Sequence, residues 1–325
     1  MFNTIKSAKT TLYSVCMTTD LWTSRSGDSY IAFTLQFLDE DFVMQHMTVD
    51  CQPFPGKHDC IAICDKVENV ISELDLLDEK IKIYIVSDNG ANNVKALGKN
   101  PSNLENDFNM TEAVNRKSWE HILCYNHTLQ LTISDTRKEM SANGVIEKVS
   151  NIVARYNRSK SARESLEHFQ TEHNIPKHDL IQMVCTRWDS EFLMLERFVE
   201  QKFAIISEQH KAGIDGLTVQ EWKLIEGYVE VLRSIANFTA EMGSRSKPTL
   251  SMVLPVIFEI KSSLEDIIKN APKGTGILFA RKLLANIKLR FTDSKYWESP
   301  LYRIAMLLDN GLKIHFLTIK IVLLY

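Results

Sequence analysis

The chain has 325 residues, 44% apolar and 24% charged, with 38 Lys and Arg against 41 Asp and Glu for a formal net charge of −3. This length suggests about two domains with a large core; the charge balance excludes a strongly basic, histone-like nucleic-acid binder without excluding a local basic groove. Twelve Gly and eight Pro are too few for a collagen-like or low-complexity chain, and neither GxxxxGKS/T nor GxGxxG occurs.

The first half predicts strands and then alternating strands and helices. Thr11 to Thr19 is rich in β-branched and aromatic residues and predicts a strand closed by Asp20. Tyr30 to Leu38 and Phe42 to Val49 predict two more strands, parted by the polar break Asp39-Glu40-Asp41. After the turn Pro53-Phe54-Pro55-Gly56, the spacing of Ile61, Val67, Val70 and Ile71 predicts a helix with these residues on one face. Ile81 to Val86 reads as a short buried strand stopped by Ser87-Asp88-Asn89-Gly90, followed by a helix from about Ala91 and a strand near His121 to Cys124. The order β-β-β-α-β-α-β predicts a mixed five-stranded sheet with helices on its faces.

From about Leu129 the strand patterns stop. Amphipathic segments predict helices over roughly 129–170, 188–210, 218–242 and 249–270, with Ile225, Val229, Leu232 and Ile235 marking one buried face. Lys247-Pro248-Thr249 is a helix-start signal, and Asn270 to Gly276 a stop. The expected division is an α/β part over 1–135 and an all-helical part over 136–325.

Compartment follows from what the sequence lacks. No signal-peptide core is visible at the N-terminus. The twelve residues from Ile314 to Tyr325, interrupted by His315 and Lys320, fall short of the roughly 20 needed to span a membrane. Cys16, Cys51, Cys60, Cys64, Cys124 and Cys185 are scattered, which suits reduced intracellular thiols better than a disulfide framework.

Two carboxylates mark the ends of predicted strands, Asp20 on the first and Asp88 on the fourth. With a right-handed crossover these strands lie parallel and adjacent, so both carboxylates reach the same end of the sheet. Hard cations such as Mg²⁺ take carboxylate oxygens and keep waters for phosphate substrates, and paired ions serve phosphoryl transfer. The competing reading is local: an Asp after a strand forms turns or caps helices, and Asp88-Asn89-Gly90 has turn chemistry.

The neighbourhoods of these residues carry more. Thr18-Thr19-Asp20-Leu21-Trp22-Thr23-Ser24 and Val86-Ser87-Asp88-Asn89-Gly90-Ala91-Asn92 resemble the two Asp-bearing motifs of hAT-superfamily transposases and their domesticated BED-finger relatives. Pro53 to His58, Cys124 to Leu129, Thr186-Arg187-Trp188-Asp189-Ser190 and Pro248 to Pro255 continue the resemblance in the family's order. Together these strings extend from about residue 11 to residue 309.

The resemblance implies an RNase H-like α/β core interrupted by a large all-α insertion. It also implies an Asp-Asp-Glu triad that holds Mg²⁺ or Mn²⁺ and cuts and joins DNA, with Asp20 and Asp88 as its first two members. No glutamate in family context follows Arg187-Trp188, so the expectation is a nuclear DNA-binding or regulatory protein with an incomplete catalytic set. The alternatives are a metal-dependent transposase fragment or a decaying transposon copy. DNA is the expected partner, with neither membrane nor small-molecule substrate. In the family a C-terminal segment also mediates dimerisation.

Further candidates each carry a bland alternative. Cys124 and His127 have C-x2-H spacing, which the resemblance places beside the active site as a structural or DNA-proximal element. No paired second set accompanies them, so no zinc is expected, and a buried thiol acting as a small hydrophobe is the simpler reading. Arg187-Trp188 matches a family pair implicated in handling a flipped base and a hairpin DNA end; alternatively the indole anchors a helix while Arg187 pairs with Asp189 or Glu191. Arg155, Arg158, Lys160 and Arg163, with Tyr156 among them, form the densest basic run. They read either as a DNA-tracking surface or as a solvated helix face beside Glu164 and Glu167.

Overall fold

The computed structural model describes residues 12–24, 26–98, 119–184, 188–243, 247–270, 275–293 and 295–309. The chain divides into two compact units, residues 1–128 with 245–248 and residues 129–244 with 249–325. Arg187 and the apolar stretch Ile314 to Tyr325 lie outside the described residues.

The first unit contains β1 (Ser14–Thr23), β2 (Ser29–Leu38), β3 (Met44–Pro53), α1 (Cys60–Glu73), β4 (Lys82–Ser87), α2 (Ala91–Leu97) and β5 (Trp119–Leu123). The strand order is β3-β2-β1-β4-β5. β1, β2 and β3 pair antiparallel, while β1–β4 and β4–β5 are parallel. This is the mixed sheet of an RNase H-like core.

Period-two alternation builds one buried face. Val15 and Met17 of β1, Ile31, Phe33 and Leu35 of β2, and Ile83 and Ile85 of β4 join a single core with α1. α1 contributes Ile63, Cys64, Val67, Val70 and Ile71, an i, i+1, i+4, i+7, i+8 stripe as wide as a core-facing helix needs. Asp59 caps this helix by accepting from the Ala62 amide at 3.0 Å. Ile61, expected on the same face, is instead 42% exposed, because it sits a half-turn away from Ile63.

Two strand boundaries differ from the sequence reading. β1 does not stop at Asp20 but runs three residues further, since Leu21, Trp22 and Thr23 stay in register with Ile31, Tyr30 and Ser29. β3 starts at Met44 rather than Phe42. Asp39 Oδ1 accepts from the Asp41 and Val43 amides at 3.1 and 2.8 Å, and Phe42 adopts φ 59° in the resulting turn.

Helices supply the second unit: most of α3 (Tyr125–Glu139), then α4 (Asn143–Arg158), α5 (Lys160–Glu172), α6 (Trp188–Glu200), α7 (Lys202–Ala212), α8 (Val219–Thr239), α9 (Val253–Asn270), α10 (Thr275–Arg290) and α11 (Pro300–Leu308). The expected continuous segment over 129–170 is three helices. Ser141 at φ 53° reverses the chain between α3 and α4. Ser159 leaves helical geometry and caps α5, its hydroxyl accepting from the Ala162 amide at 3.2 Å. The expected helix over 188–210 breaks at Gln201, a fully buried side chain. Its amide donates to the Pro176 carbonyl and accepts from Gln170, both at 3.0 Å.

On α8 the buried face includes Ile225, Val229, Leu232 and Ile235 as the spacing predicts, joined by Trp222 and Tyr228. α10 and α11 were not among the expected helices. No helix among the described residues is long and apolar enough to cross a membrane.

Candidate metal and nucleic-acid site

β1 and β4 run parallel with Thr18 level with Val86. Two further residues along each chain bring Asp20 level with Asp88 at the same end of the sheet. β1 buries Val15, Met17 and Thr19, so alternation turns Asp20 to the face it shares with Cys16 and Thr18. β4 buries Ile83, Ile85 and Ser87, and the same alternation carries Asp88 to that side. Asp20 is exposed and Asp88 half-buried.

Asp88 also organises the turn that follows it. Its Oδ1 accepts from the Gly90 amide at 2.8 Å and from Asn93 Nδ2 at 2.6 Å. A Cβ at Gly90 would meet this same oxygen at 3.0 Å, a tight contact that the Asp88 carboxylate would have to shift to relieve. Asp88 thus has the turn role that the sequence offered: one oxygen fixes the loop and holds the carboxylate at the sheet edge. Next to it, Ser87 Oγ donates to the Asp88 carbonyl at 2.9 Å and lies 2.9 Å from His121 Nε2 on β5.

Cys124 joins this cluster. Its amide donates to the Ser87 carbonyl at 2.8 Å, extending the β4–β5 pairing into the start of α3. Burial raises the thiol pKa above its ordinary value; the His127 and Asn126 amides pull it back down, while the nearby carboxylates of Asp88 and Asp20 push it up. The thiol therefore accepts at the start of α3 and feels both carboxylates. His127 enters through its backbone and is half-buried.

Asp20 and Asp88 offer hard oxygen donors, which suits a Mg²⁺-type ion held by one or two carboxylates with waters and phosphate oxygens completing its shell. Among the described residues no group of three or more His, Cys, Asp or Glu gathers around one metal position.

The remaining candidates lie in the helical unit. Trp188 is buried, its ring 6.5 Å from Phe192 and its amide donating to Gln130 Oε1, an anchor for α6. Glu191, one partner considered for Arg187, accepts from Arg137 and, at 3.0 Å, from the Tyr228 hydroxyl. The basic run divides. Arg155 grips Glu208 with two bonds of 2.8 Å, and Tyr156 donates to Glu208 at 2.5 Å. Arg163 donates to the Asn157 carbonyl at 3.1 Å. Arg158 is exposed, and Lys160, also exposed, sits 3.6 Å from Glu164.

Sequence reasoning missed a cavity of about 290 Å³ beside the carboxylates, lined by Trp22, Tyr30, His58, Asn92 and Asn93 among others. The signal was present: Trp22 stands two residues after Asp20, and His58 and Asn92 each end a family-like string.

Residues 18–114 match the ZBED1 RNase-like domain, and residues 122–231 match the ZBED1 RNase-like helical domain. The chain is a hAT/ZBED-like protein. Its relatives include the human "Zinc finger BED domain-containing protein 4", 27% identical over 62% of this chain and 17% of that protein. The "Putative AC transposase" of Zea mays is 25% identical over 76% of this chain and 31% of that protein. The "Putative transcriptional regulator tpeD" of Talaromyces stipitatus is 24% identical over 88% of this chain and 37% of that protein. The hAT/ZBED-like chain thus spans less than two fifths of the length of each of these relatives. Asp20 and Asp88 fall within the first matched domain; Cys124, His127, Arg155 and Trp188 fall within the second.

Proposed function

We propose that this transposase-derived chain is a nuclear DNA-binding protein of regulatory character, whose sheet edge takes Mg²⁺ or Mn²⁺ through Asp20 and Asp88. The observation that carries the reading is the parallel β1–β4 register, which runs to Thr18 and Val86 and leads two residues on to Asp20 and Asp88. A hard cation there supplies positive charge for a DNA phosphate. The chain's own residues hold the geometry: Gly90 and Asn93 fix Asp88 through one oxygen, and the β1–β2 pairing fixes Asp20 opposite Ala32. Two carboxylates favour cation and phosphate binding over strand cutting by this chain alone.

Two measurements test the reading. Mn²⁺ titration followed by electron paramagnetic resonance is expected to show binding that Asp20→Asn with Asp88→Asn abolishes. Duplex binding by fluorescence anisotropy is expected to weaken as salt rises. Mn²⁺ binding untouched by the double substitution sinks the metal assignment, and absence of salt-dependent DNA binding sinks the partner assignment. Asp20-dependent nicking of DNA in Mn²⁺ would replace this reading with the transposase one.

A further inference from the structure

The two carboxylate oxygens of Asp88 stand in unequal positions. Oδ1 accepts from the Gly90 amide at 2.8 Å and from Asn93 Nδ2 at 2.6 Å. Oδ2 takes no hydrogen bond from the described residues. An ionised carboxylate offers roughly two acceptor sites on each oxygen, so Oδ1 is filled and Oδ2 is left for a ligand.

Asn93 is oriented by this donation. It lies on α2 and is 6% exposed. Its own Oδ1 is buried and has no hydrogen-bond partner among the described residues, a costly state for an amide oxygen. Turning the amide over would set that oxygen against the Asp88 carboxylate, two acceptors with no proton between them. The side chain therefore serves Asp88 at the expense of its own carbonyl.

The backbone on both flanks of Asp88 is pinned as well. On one side, Ser87 Oγ lies 2.9 Å from His121 Nε2, and the Cys124 amide donates to the Ser87 carbonyl at 2.8 Å. On the other, Asn89 Nδ2 donates to Thr128 Oγ1 at 3.1 Å, and Thr128 is 1% exposed. With residues 87 and 89 fixed, Asp88 brings Oδ1 forward only by breaking its bonds to Gly90 and Asn93.

We infer that Asn93 is a positioning residue that confines Asp88 to one-oxygen ligation through Oδ2, and so favours a Mg²⁺-like ion over Ca²⁺. The inference rests on the metal reading above and deepens it. Groups that hydrogen-bond a ligating carboxylate set its orientation. Mg²⁺ demands near-ideal octahedral geometry, keeps several waters and needs only one or two carboxylates; Ca²⁺ takes about six to eight oxygens and accepts both from one carboxylate. A site that receives a single oxygen from Asp88 withholds part of the shell that the larger ion uses. Loss of Asn93 frees Oδ1 and restores the two-oxygen mode.

The test is ion competition on the full chain, with bound Mn²⁺ followed by electron paramagnetic resonance and displaced by Mg²⁺ or by Ca²⁺. The readout is the ratio of the Ca²⁺ to the Mg²⁺ concentration that displaces half of the Mn²⁺. Asn93→Ala is expected to lower this ratio by about threefold or more, whereas loosened packing alone weakens every ion alike and leaves the ratio unmoved. Asn93→Gln keeps an amide donor and is expected to stay within roughly twofold of the unsubstituted chain. An unchanged ratio in Asn93→Ala, with its fold intact by circular dichroism, overturns the inference. The unsubstituted chain supplies a test that needs no variant: displacement of Mn²⁺ by Ca²⁺ at about a tenth of the Mg²⁺ concentration overturns it too. Mn²⁺ binding that survives Asp20→Asn with Asp88→Asn overturns the metal reading itself, a separate result obtained without any change at Asn93.

Discussion

Two carboxylates in each unit occupy opposite settings. In the helical unit, the Glu208 and Glu191 side chains are 3% and 7% exposed, and each is matched by an arginine and a tyrosine hydroxyl. In the α/β unit, Asp20 faces solvent and Asp88 is half-buried, with its two described bonds on a single oxygen. The Glu191 and Glu208 carboxylates are consumed by packing, while the carboxylates at the sheet edge stand where a ligand can reach them. Residue type alone does not separate the two: Arg155 belongs to the densest basic run and is nevertheless structural.

The largest expected effect tests that structural role. Glu208→Ala leaves Arg155 and the Tyr156 hydroxyl without their shared acceptor, and the loss of one partner of a largely buried pair is expected to cost about 3 kcal/mol. Urea unfolding measures it, with Glu208→Gln as the milder variant that keeps an acceptor. A loss below about 1 kcal/mol, the size of an exposed ion pair, would break the contrast between the units.

A smaller effect lies in how the two glutamates titrate. Burial raises the Glu208 pKa, but the bonds from Arg155 and Tyr156 outweigh it and leave the net shift downward. Its stabilisation is therefore full above the unfolded glutamate value of about 4.3 and is lost as pH falls through the lower folded value. For Glu191 burial prevails over Arg137 and Tyr228, and the shift is upward. Its ionisation costs stability above its raised folded value, and that cost disappears as pH falls through it. Thermal melting from pH 7 to pH 3 is expected to show Glu191→Gln flattening the upper part of the profile and Glu208→Gln the lower part. Identical changes in both variants would show that the two carboxylates share one environment.

The α/β unit was legible in the sequence because its signals are short-range. Alternation along 81–86, the polar break at Asp39 to Asp41 and the spacing of Val67, Val70 and Ile71 each act within a few residues. Asp20 and Asp88 could be paired from strand order alone, since parallel adjacency follows from a right-handed crossover. The helical breaks were harder to read. Ser141 and Gln201 interrupt helices whose apolar spacing continues across the break, so periodicity reports one helix where the backbone turns. The partners of the basic run were illegible for another reason: Arg155 and Glu208 are 53 residues apart, and nothing local distinguishes a paired arginine from a solvated one. Trp22 and Asn93 escaped because a cavity arises only when β1, β2 and α2 meet.

The smallest expected effect separates the residues of that basic run. Arg158 and Lys160 are exposed, and surface substitutions of this kind generally leave stability within about 0.5 kcal/mol. If they touch phosphates, Arg158→Gln with Lys160→Gln lowers the slope of log K against log salt by up to about 2, near 0.9 for each lost contact. Arg155→Gln is expected to do the reverse, lowering the urea midpoint while leaving the slope alone, because its guanidinium is already spent on Glu208. The three cations lie within six positions of one another, so a shared electrostatic surface would make them behave alike. An equal slope change from Arg155→Gln would show that the ion pair opens when DNA binds, and the division between structural and ligand-facing charge would then apply only to the unbound chain.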